Sequence, residues 1–445
     1  MKINKHWITF KRSFWFLPTF YGIVALLLSI LTIITEKSVS TELISKYIPN
    51  VLLTDIKLGQ TILSSIAISI LTMTTITFSS IMVVLTTYSS QFSPRTLQDF
   101  ISDVVTQRVL GIFTGGIIYS LLLLLFLKEI SNKTLFVGPG VAVIWAIVCL
   151  AFFVYFIHHV ATWTQVNNLI DKITSRTQQT IDKSFHFNDD KSMESDIPNE
   201  DVHNLDCSNM KSVLATTSGY LQMIDLPTLL KKASEEDFII KIERRIGDYI
   251  LRGTPLFSFV NREKITEDEQ KRYEECFSIG TERTTVQDIE FGLQKLVEIS
   301  LRAISPAIND PHTAINCINR IGTLLAELGT VSFPKSHQFD KNQQLRIIMD
   351  IQSYQELLYK SFYQIRHYGR QDVSVCASTL AVLHGIVEKN KDPSIQKTIW
   401  KFTIYFVEGI DESVLLVWDK NFINEKIKRL AKTLEKEHEY DQIKL

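Results

Sequence analysis

The sequence predicts a mainly α-helical fold, in which a transmembrane domain of four helices precedes a cytoplasmic α+β domain. Four long apolar stretches within residues 1–165 predict the transmembrane domain, because about 20 helical residues are needed to cross a hydrocarbon core. Short apolar segments bounded by turn residues predict a small β-barrel-like module at 211–262. Apolar stripes with a 3.6-residue period predict a helical bundle at 263–445.

Composition excludes several classes of protein. The 445 residues include 47 basic and 48 acidic side chains, so the formal net charge is −1. This balance argues against nucleic acid as a partner, because nucleic-acid-binding proteins present a basic surface. The five cysteines lie far apart and form no CxxC pair. We therefore predict no disulfide scaffold and no bound metal, and a reducing compartment is the simplest environment.

The four predicted spans cover about residues 14–34, 60–90, 108–127 and 136–158. No Asp, Glu, Lys or Arg lies in the interior of a span, whereas proton relays and ion-coupled carriers usually keep an ionisable group at membrane depth. The third span contains Gly111 and Gly115, whose spacing predicts a close helix–helix contact. The first span lacks a small-residue cleavage pattern, which argues against a removed signal peptide.

Cations near the ends of the spans predict the orientation in the membrane. The first span is preceded by four basic residues and no acidic one: Lys2, Lys5, Lys11 and Arg12. An even number of spans puts both termini on the same side of the bilayer. We therefore predict a multi-pass protein of the plasma (inner) membrane with cytoplasmic N and C termini.

Span two has an unusual content of hydroxyl groups. Of the 30 residues from 61 to 90, 14 are Ser or Thr. Those with near seven-residue spacing share one helical face, and they are the candidate pore-lining residues: Ser65, Ser69, Thr72, Ser79 and Thr86. Phe78 and Met82 are the candidate constriction. Two interpretations stay open, because hydroxyls can line a wet path and can also permit tight helix packing.

The remaining chain divides into four predicted segments: a helical extension of span four at 166–184, an acidic linker at 185–210, the β-rich module and the helical domain. Strands are predicted at 219–224, 238–242, 249–251 and 256–260, with a short helix at 226–233 capped by Asp225. Later helices are predicted at 344–367, 373–389, 393–407 and 414–436.

A candidate polar cluster surrounds one predicted helix–turn–helix in the cytoplasmic domain. Its members are Arg283, Asp288, Arg302, Asn309, Asp310 and His312. Asp310 is predicted as a helix N-cap, followed by Pro311 at the first helical position. Such groups serve either as caps and buried ion pairs or as a binding site, and the sequence leaves both interpretations open.

Several segments resemble the DUF2254 family of bacterial predicted multi-pass membrane proteins. They are FSSIMVVLTTYSSQFSPR at 78–95, SGYLQMID at 218–225, GTPL at 253–256, RTTVQDIEFGL at 283–293 and ISPAINDP at 304–311. Ala307 is a minor departure, since the family often has Gly there. The resemblance implies a bacterial membrane protein with several spans and a soluble domain. It supplies no catalytic residue.

The leading functional hypothesis is an oligomeric channel or conduit for ions or small solutes, lined by span two. Four spans are too few to enclose a pathway, so this hypothesis requires a homo-oligomer. The alternative is a membrane-anchored scaffold or sensor whose cytoplasmic domain binds a protein, lipid or small ligand. An enzyme is not favoured, because the sequence contains no HExxH, P-loop or GxSxG motif and suggests no cofactor.

Overall fold

The computed structural model describes residues 15–38, 53–91, 103–126, 136–163, 165–185, 210–260, 262, 265–331, 333 and 336–445. The chain divides into two compact units, Met1–Val166 and Asn167–Leu445. The predicted acidic linker lies outside the described residues except for its first and last residue. Lys2, Lys5, Lys11 and Arg12 also lie outside them.

Among the described residues, four helices are long and apolar enough to cross a membrane, and all four lie in the first unit. These spans are α1 (Phe16–Ser38), α2 (Ile56–Gln91), α3 (Val104–Phe126) and α4 (Gly138–Trp163). The prediction of a mainly helical protein with four N-terminal spans is confirmed. At about 1.5 Å per residue, the 36 residues of α2 measure roughly 54 Å, which exceeds the roughly 30 Å hydrocarbon core.

Span three is the central helix of this unit. About 56% of its most apolar window is buried, against 22% for each other span. Its glycines permit this burial: a Cβ on Gly111 would lie 2.6 Å from the Tyr21 ring of α1, and one on Gly116 would lie 2.8 Å from Ile70 of α2. The predicted close contact of small residues in span three is therefore confirmed.

Two carboxylates hold the ends of the spans. Glu36 is 4% exposed, and its Oε1 accepts the backbone N–H groups of Val137 (2.9 Å) and Gly138 (2.7 Å) at the start of α4. A negative charge at a helix N-terminus is favourable. Asp103 accepts the Thr106 N–H at the start of α3 and lies 2.8 Å from His159 Nε2 of α4. Sequence analysis assigned neither carboxylate a role.

The second unit contains two open sheets rather than the predicted barrel-like module. The strands are β1 (Met210–Leu214), β2 (Gly219–Ile224), β3 (Ile239–Ile242), β4 (Tyr249–Ile250), β5 (Pro255–Val260), β6 (Phe277–Gly280), β7 (His337–Phe339) and β8 (Leu345–Met349). They form sheets in the orders β1-β5-β3-β8-β7 and β4-β2-β6. Only the β3–β8 pair is parallel, with Ile240 opposite Ile347; the other pairs are antiparallel.

Aromatic side chains fill the core around these sheets. Phe257 of β5 stacks on Phe277 of β6 with ring centroids 4.9 Å apart, and Phe259 meets Tyr273 edge-to-face at 5.1 Å. All four side chains are buried. Strand side chains point to opposite faces, and the consecutive residues Leu256–Val260 of β5 are all buried, so both faces of this strand are covered. This core joins strands on both sides of residue 263, where the sequence predicted a boundary.

The helices of the second unit are α5 (Val166–Phe185), α6 (Leu226–Glu235), α7 (Glu267–Glu274), α8 (Ile289–Ala303), α9 (Pro311–Leu328), α10 (Tyr354–Gly369), α11 (Val373–Lys389), α12 (Pro393–Glu408), α13 (Val417–Thr433) and α14 (Glu437–Ile443). The predicted helix at 344–367 is wrong at its start, because residues 345–349 form β8 and α10 begins after the N-cap Ser353. The predicted N-caps Asp225 and Asp310 are confirmed.

Candidate functional site

One face of span two packs against the other spans. The buried residues of this face are three, four or seven positions apart along the helix. They are Leu63, Ala67, Ile70, Thr77, Ile81 and Val84. This spacing returns a helix to the same side every two turns, so the residues form one continuous seam. The seam includes a single hydroxyl, that of Thr77, and its oxygen is buried.

The opposite face of span two is left uncovered by the described residues. All five predicted pore-lining residues are exposed: Ser65, Ser69, Thr72, Ser79 and Thr86. At about 100° per residue, their mean direction lies roughly half a turn from the buried seam. Ile76 and Val83 complete the same line and are 45% and 64% exposed. Sequence analysis missed these two, although their heptad spacing with Ser69 could have identified them.

Three of the five hydroxyl groups on this uncovered face bond within their own helix. Ser69 donates to the Ser65 carbonyl (2.8 Å), Thr72 to that of Ile68 (2.9 Å) and Thr86 to that of Val83 (2.8 Å). Each donor is satisfied, while each oxygen keeps the capacity to accept a hydrogen bond. These three hydroxyls can therefore meet either a packed helix or water without leaving a donor unpaired.

The predicted constriction residues lie to one side of this face. Phe78 is 48% exposed and Met82 is 58% exposed. From the helical repeat, both side chains project roughly a quarter to a third of a turn away from the centre of the hydroxyl line. Ile76 and Val83 lie closer to that centre. These two are thus the better placed apolar side chains to narrow a path along span two.

The predicted polar cluster of the second unit is divided between the two ends of α8. Arg283 and Asp288 lie before the first residue of α8, with Arg283 Nη2 donating to Asp288 Oδ1 (3.0 Å) and its Nε donating to Oδ2 (2.5 Å). Asp288 Oδ1 also accepts the Phe291 N–H and caps the helix. The side chains of this pair are 18% and 3% exposed.

The other four predicted members lie about the C-terminal end of α8 and the start of α9. Arg302 is in the last turn of α8, and Asn309 adopts a positive φ of 50° in the turn that follows. Asp310 caps α9, and hydrogen bonds from Thr313 hold the pKa of Asp310 below its usual value. His312 is in the first turn of α9. The 15 residues of α8 separate the two groups by roughly 21 Å, so they form no single site.

An extended ion-pair network joins the start of α8 to α10. Arg283 also bonds Glu290 (3.2 Å), and Lys360 lies 2.7 Å from Glu290 and 2.8 Å from Glu356. Arg245 continues the network, with its Nη1 2.9 Å from Glu356. Sequence analysis missed these partners because they are up to 111 residues apart. The arrangement satisfies buried charges and holds the sheets to the helices.

Two carboxylates of the network, Glu290 and Glu356, are expected to contribute stability that is lost in acid. Burial raises the pKa of Glu290, but hydrogen bonds from Lys360 and Gln352 outweigh it and leave the pKa below its usual value. A hydrogen bond from Lys360 likewise lowers the pKa of Glu356. The stabilisation is therefore complete above the unfolded pKa of about 4.3 and is lost as the pH falls through the lower folded pKa.

Urea unfolding of the full chain in detergent, measured from neutral to acidic pH, tests this expectation. The Glu290→Gln variant should be less stable than the wild type near neutral pH, and the difference should narrow as the pH falls from about 4.3 through the lower folded pKa of Glu290. A difference in stability that stays constant across this pH range would contradict the assignment.

The described parts of the chain show neither a metal-binding group nor a reactive thiol at Cys317 or Cys376. Within them, no group of three or more His, Cys, Asp or Glu residues is arranged to hold a metal. Cys317 and Cys376 are buried, and burial raises the pKa of the Cys376 thiol to about 12. A thiol with a raised pKa is a poor nucleophile, so these cysteines act as apolar packing residues.

The four apolar spans and the α+β unit define an integral membrane protein with a large extramembranous part. The family model described as "Predicted membrane protein (DUF2254)" matches residues 11–385. The chain therefore belongs to this family, and its place in a lipid bilayer follows. The resemblance of the sequence segments to the family is confirmed.

Related proteins occur in mycobacteria. Uncharacterized proteins of Mycobacterium bovis and Mycobacterium tuberculosis are each 31% identical over 341 residues, which is 75% of this chain and 64% of theirs. The match thus spans less than two thirds of those curated relatives. No solved structure matches this chain.

Proposed function

We propose that the protein is an oligomeric conduit for ions or small solutes, in which span two of each copy lines the pathway. The observation that carries this proposal is the uncovered line of Ser65, Ser69, Thr72, Ser79 and Thr86 on a helix whose other face is packed. Small polar side chains at heptad spacing favour contact between copies of one helix around an axis. Hydroxyl oxygens on that axis supply acceptors to a permeating species.

Ile76 and Val83 are proposed as the narrow part of the pathway. They interrupt the hydroxyl line and point in the same direction, so a symmetric assembly would bring copies of each side chain into a ring. Apolar rings close a pore by excluding water. The absence of charge along this face favours weak binding and passage over tight capture of an ion. The pathway would cross the plasma membrane of a bacterium, with both termini in the cytoplasm.

Cysteine modification during flux measurements tests the lining. The full chain is reconstituted into liposomes, ion flux is recorded, and a charged, membrane-impermeant thiol reagent is added to the Thr72→Cys variant. We expect the reagent to block flux because Thr72 faces the pathway. The matched control is Ile147→Cys on span four, which is 62% exposed and carries no hydroxyl stripe beside it. The untreated and treated wild type give the baseline for the native cysteines.

Two results would overturn the proposal. If the wild type carries no current for any ion at any voltage, the conduit is wrong. If it conducts but the reagent affects the Thr72→Cys and Ile147→Cys variants equally, the pathway is not lined by the hydroxyl face.

A membrane-anchored scaffold or sensor is the second candidate. The observation that favours it is the bonding of the Ser69, Thr72 and Thr86 hydroxyls to their own helix, which suits a dry contact between copies. In that case the spans anchor and dimerise the chain, and the second unit binds a protein, a lipid or a small ligand. An oligomer that excludes the thiol reagent from Thr72→Cys and carries no flux favours this candidate.

A further inference from the structure

The start of α13 presents an apolar tip on the second unit. The tip consists of Val414, Leu416, Val417, Trp418 and Phe422, whose exposures are 48%, 74%, 71%, 88% and 47%. Soluble surfaces rarely leave a tryptophan uncovered together with four other large apolar side chains. This arrangement therefore points to a partner that covers them.

Two hydrogen bonds from backbone N–H groups hold the tip in place. The Leu416 N–H donates to Asp419 Oδ2 (3.0 Å), and the Lys420 N–H donates to the Leu416 carbonyl (3.0 Å). Inward-facing Ile423 and Ile427 of the same helix are fully buried. Because the inner face of α13 is anchored in the bundle, the tip projects its apolar side chains outward.

Basic residues follow the tip along α13. α13 contains five basic side chains, Lys420, Lys426, Lys428, Arg429 and Lys432, against the acidic Asp419 and Glu425. Lys420 pairs with Glu412 (2.6 Å) and Arg429 pairs with Glu425, so the excess positive charge of α13 comes from Lys426, Lys428 and Lys432. Lys426 Nζ lies 5.1 Å from the centre of the Phe422 ring, next to the apolar tip. A helix with a basic outer face and exposed aromatic residues is typical of binding to an anionic membrane surface.

We propose that the apolar tip inserts into the headgroup region of an anionic lipid bilayer. Trp418 supplies the amphipathic ring that favours this interface, and the basic residues of α13 attract anionic headgroups. Because the same chain carries four spans, this unit is always tethered to a bilayer. The proposal does not depend on conduction by span two.

A second copy of the chain is the less suitable occupant. The tip exposes on the order of 600 Å², which is below the roughly 800 Å² that each partner buries in a stable protein interface. A symmetric contact through the tip would also bring two basic α13 helices together, and like charges repel. A bilayer surface requires neither a matching shape nor a larger area.

Quenching of tryptophan fluorescence by lipid tests the insertion. The full chain is reconstituted into phosphatidylcholine vesicles with and without phosphatidylglycerol, in which the acyl chains are brominated. The signal of Trp418 is the difference between the wild type and the Trp418→Phe variant, since the protein has 6 tryptophans. The matched control is Trp400→Phe, because Trp400 lies in the same unit and is 4% exposed.

We expect the Trp418 signal to be quenched in the anionic vesicles and the Trp400 signal to be unaffected. Changing Lys426, Lys428 and Arg429 to Gln should weaken the apparent lipid affinity by about fivefold for each cation removed. A Trp418 signal that brominated lipid leaves unquenched in both kinds of vesicle would overturn the proposal. A signal that instead shifts with the ratio of protein to lipid, without quenching, would assign the tip to a second copy.

Discussion

Replacing Asp288 with Ala is expected to lower the free energy of unfolding of the unit Asn167–Leu445 by about 3–5 kcal/mol. The variant leaves Arg283, whose side chain is 18% exposed, without the carboxylate that accepts its Nε and Nη2 hydrogens. Arg283 keeps Glu290 (3.2 Å) as a carboxylate partner, but it loses two charge-assisted hydrogen bonds in a largely buried position, where water cannot readily replace them. The variant also removes the N-cap of α8.

Asp372→Ala is the matched control for this prediction. Asp372 caps α11 by accepting the Val375 N–H (3.0 Å), as Asp288 caps α8. Loss of a cap alone costs about 1 kcal/mol. Urea titration of the full chain in detergent, with the folded unit measured by brief proteolysis, should separate the two variants. Equal losses for Asp288→Ala and Asp372→Ala would mean that the ion pair adds nothing beyond the cap.

Replacing Gly292 with Leu is expected to be the other severe change, with a loss of about 3 kcal/mol or more. A Cβ at this position would lie 2.7 Å from Thr177 Cγ2 and 2.9 Å from Thr177 Cβ, well inside van der Waals contact. Thr177 is fully buried, and its hydroxyl donates to the Ile173 carbonyl of α5. The β-branched side chain cannot rotate away, so α5 must separate from α8.

Gly385→Ala is the matched control, since a Cβ on Gly385 would meet nothing within 4 Å. In an exposed helical position this change should stabilise the unit by about 0.5–1 kcal/mol. The same urea titration measures both variants, and hydrogen exchange of α5 amides reports whether that helix has separated from α8. Unchanged protection of α5 in the Gly292→Leu protein would show that the contact can relax and would contradict this account.

Much of the helical part of the fold could be predicted because its signals are local. The helix at 373–389 was predicted with both ends correct, and Asp310 with Pro311 marks the start of α9. Apolar periodicity and caps depend on residues within a few positions of each other. β8 was misassigned because its five residues become a strand through parallel pairing with β3, about 100 residues earlier. Pairing at that distance leaves little local signal.

The candidate sites, like the fold, could be predicted from the sequence only in part. The five hydroxyl residues of span two were predicted as one face from their spacing, and no part of the chain that the structure describes covers that face. The polar cluster around Arg283 and Asp310 was predicted as one group because its members are close in sequence. The length of α8 separates them, while Lys360 and Arg245 join Arg283 and Glu290 from distant segments.

The sequence by itself determined the four spans, the hydroxyl line, the helix caps and the membership of a membrane protein family. Hydrophobic length, residue spacing and capping residues act over a few turns, so they can be read from one stretch of chain. Tertiary structure alone decided which face of span two is covered, how the two sheets assemble and where the buried charges find partners. Those outcomes depend on desolvation and packing between segments far apart in the chain, and no local pattern records them.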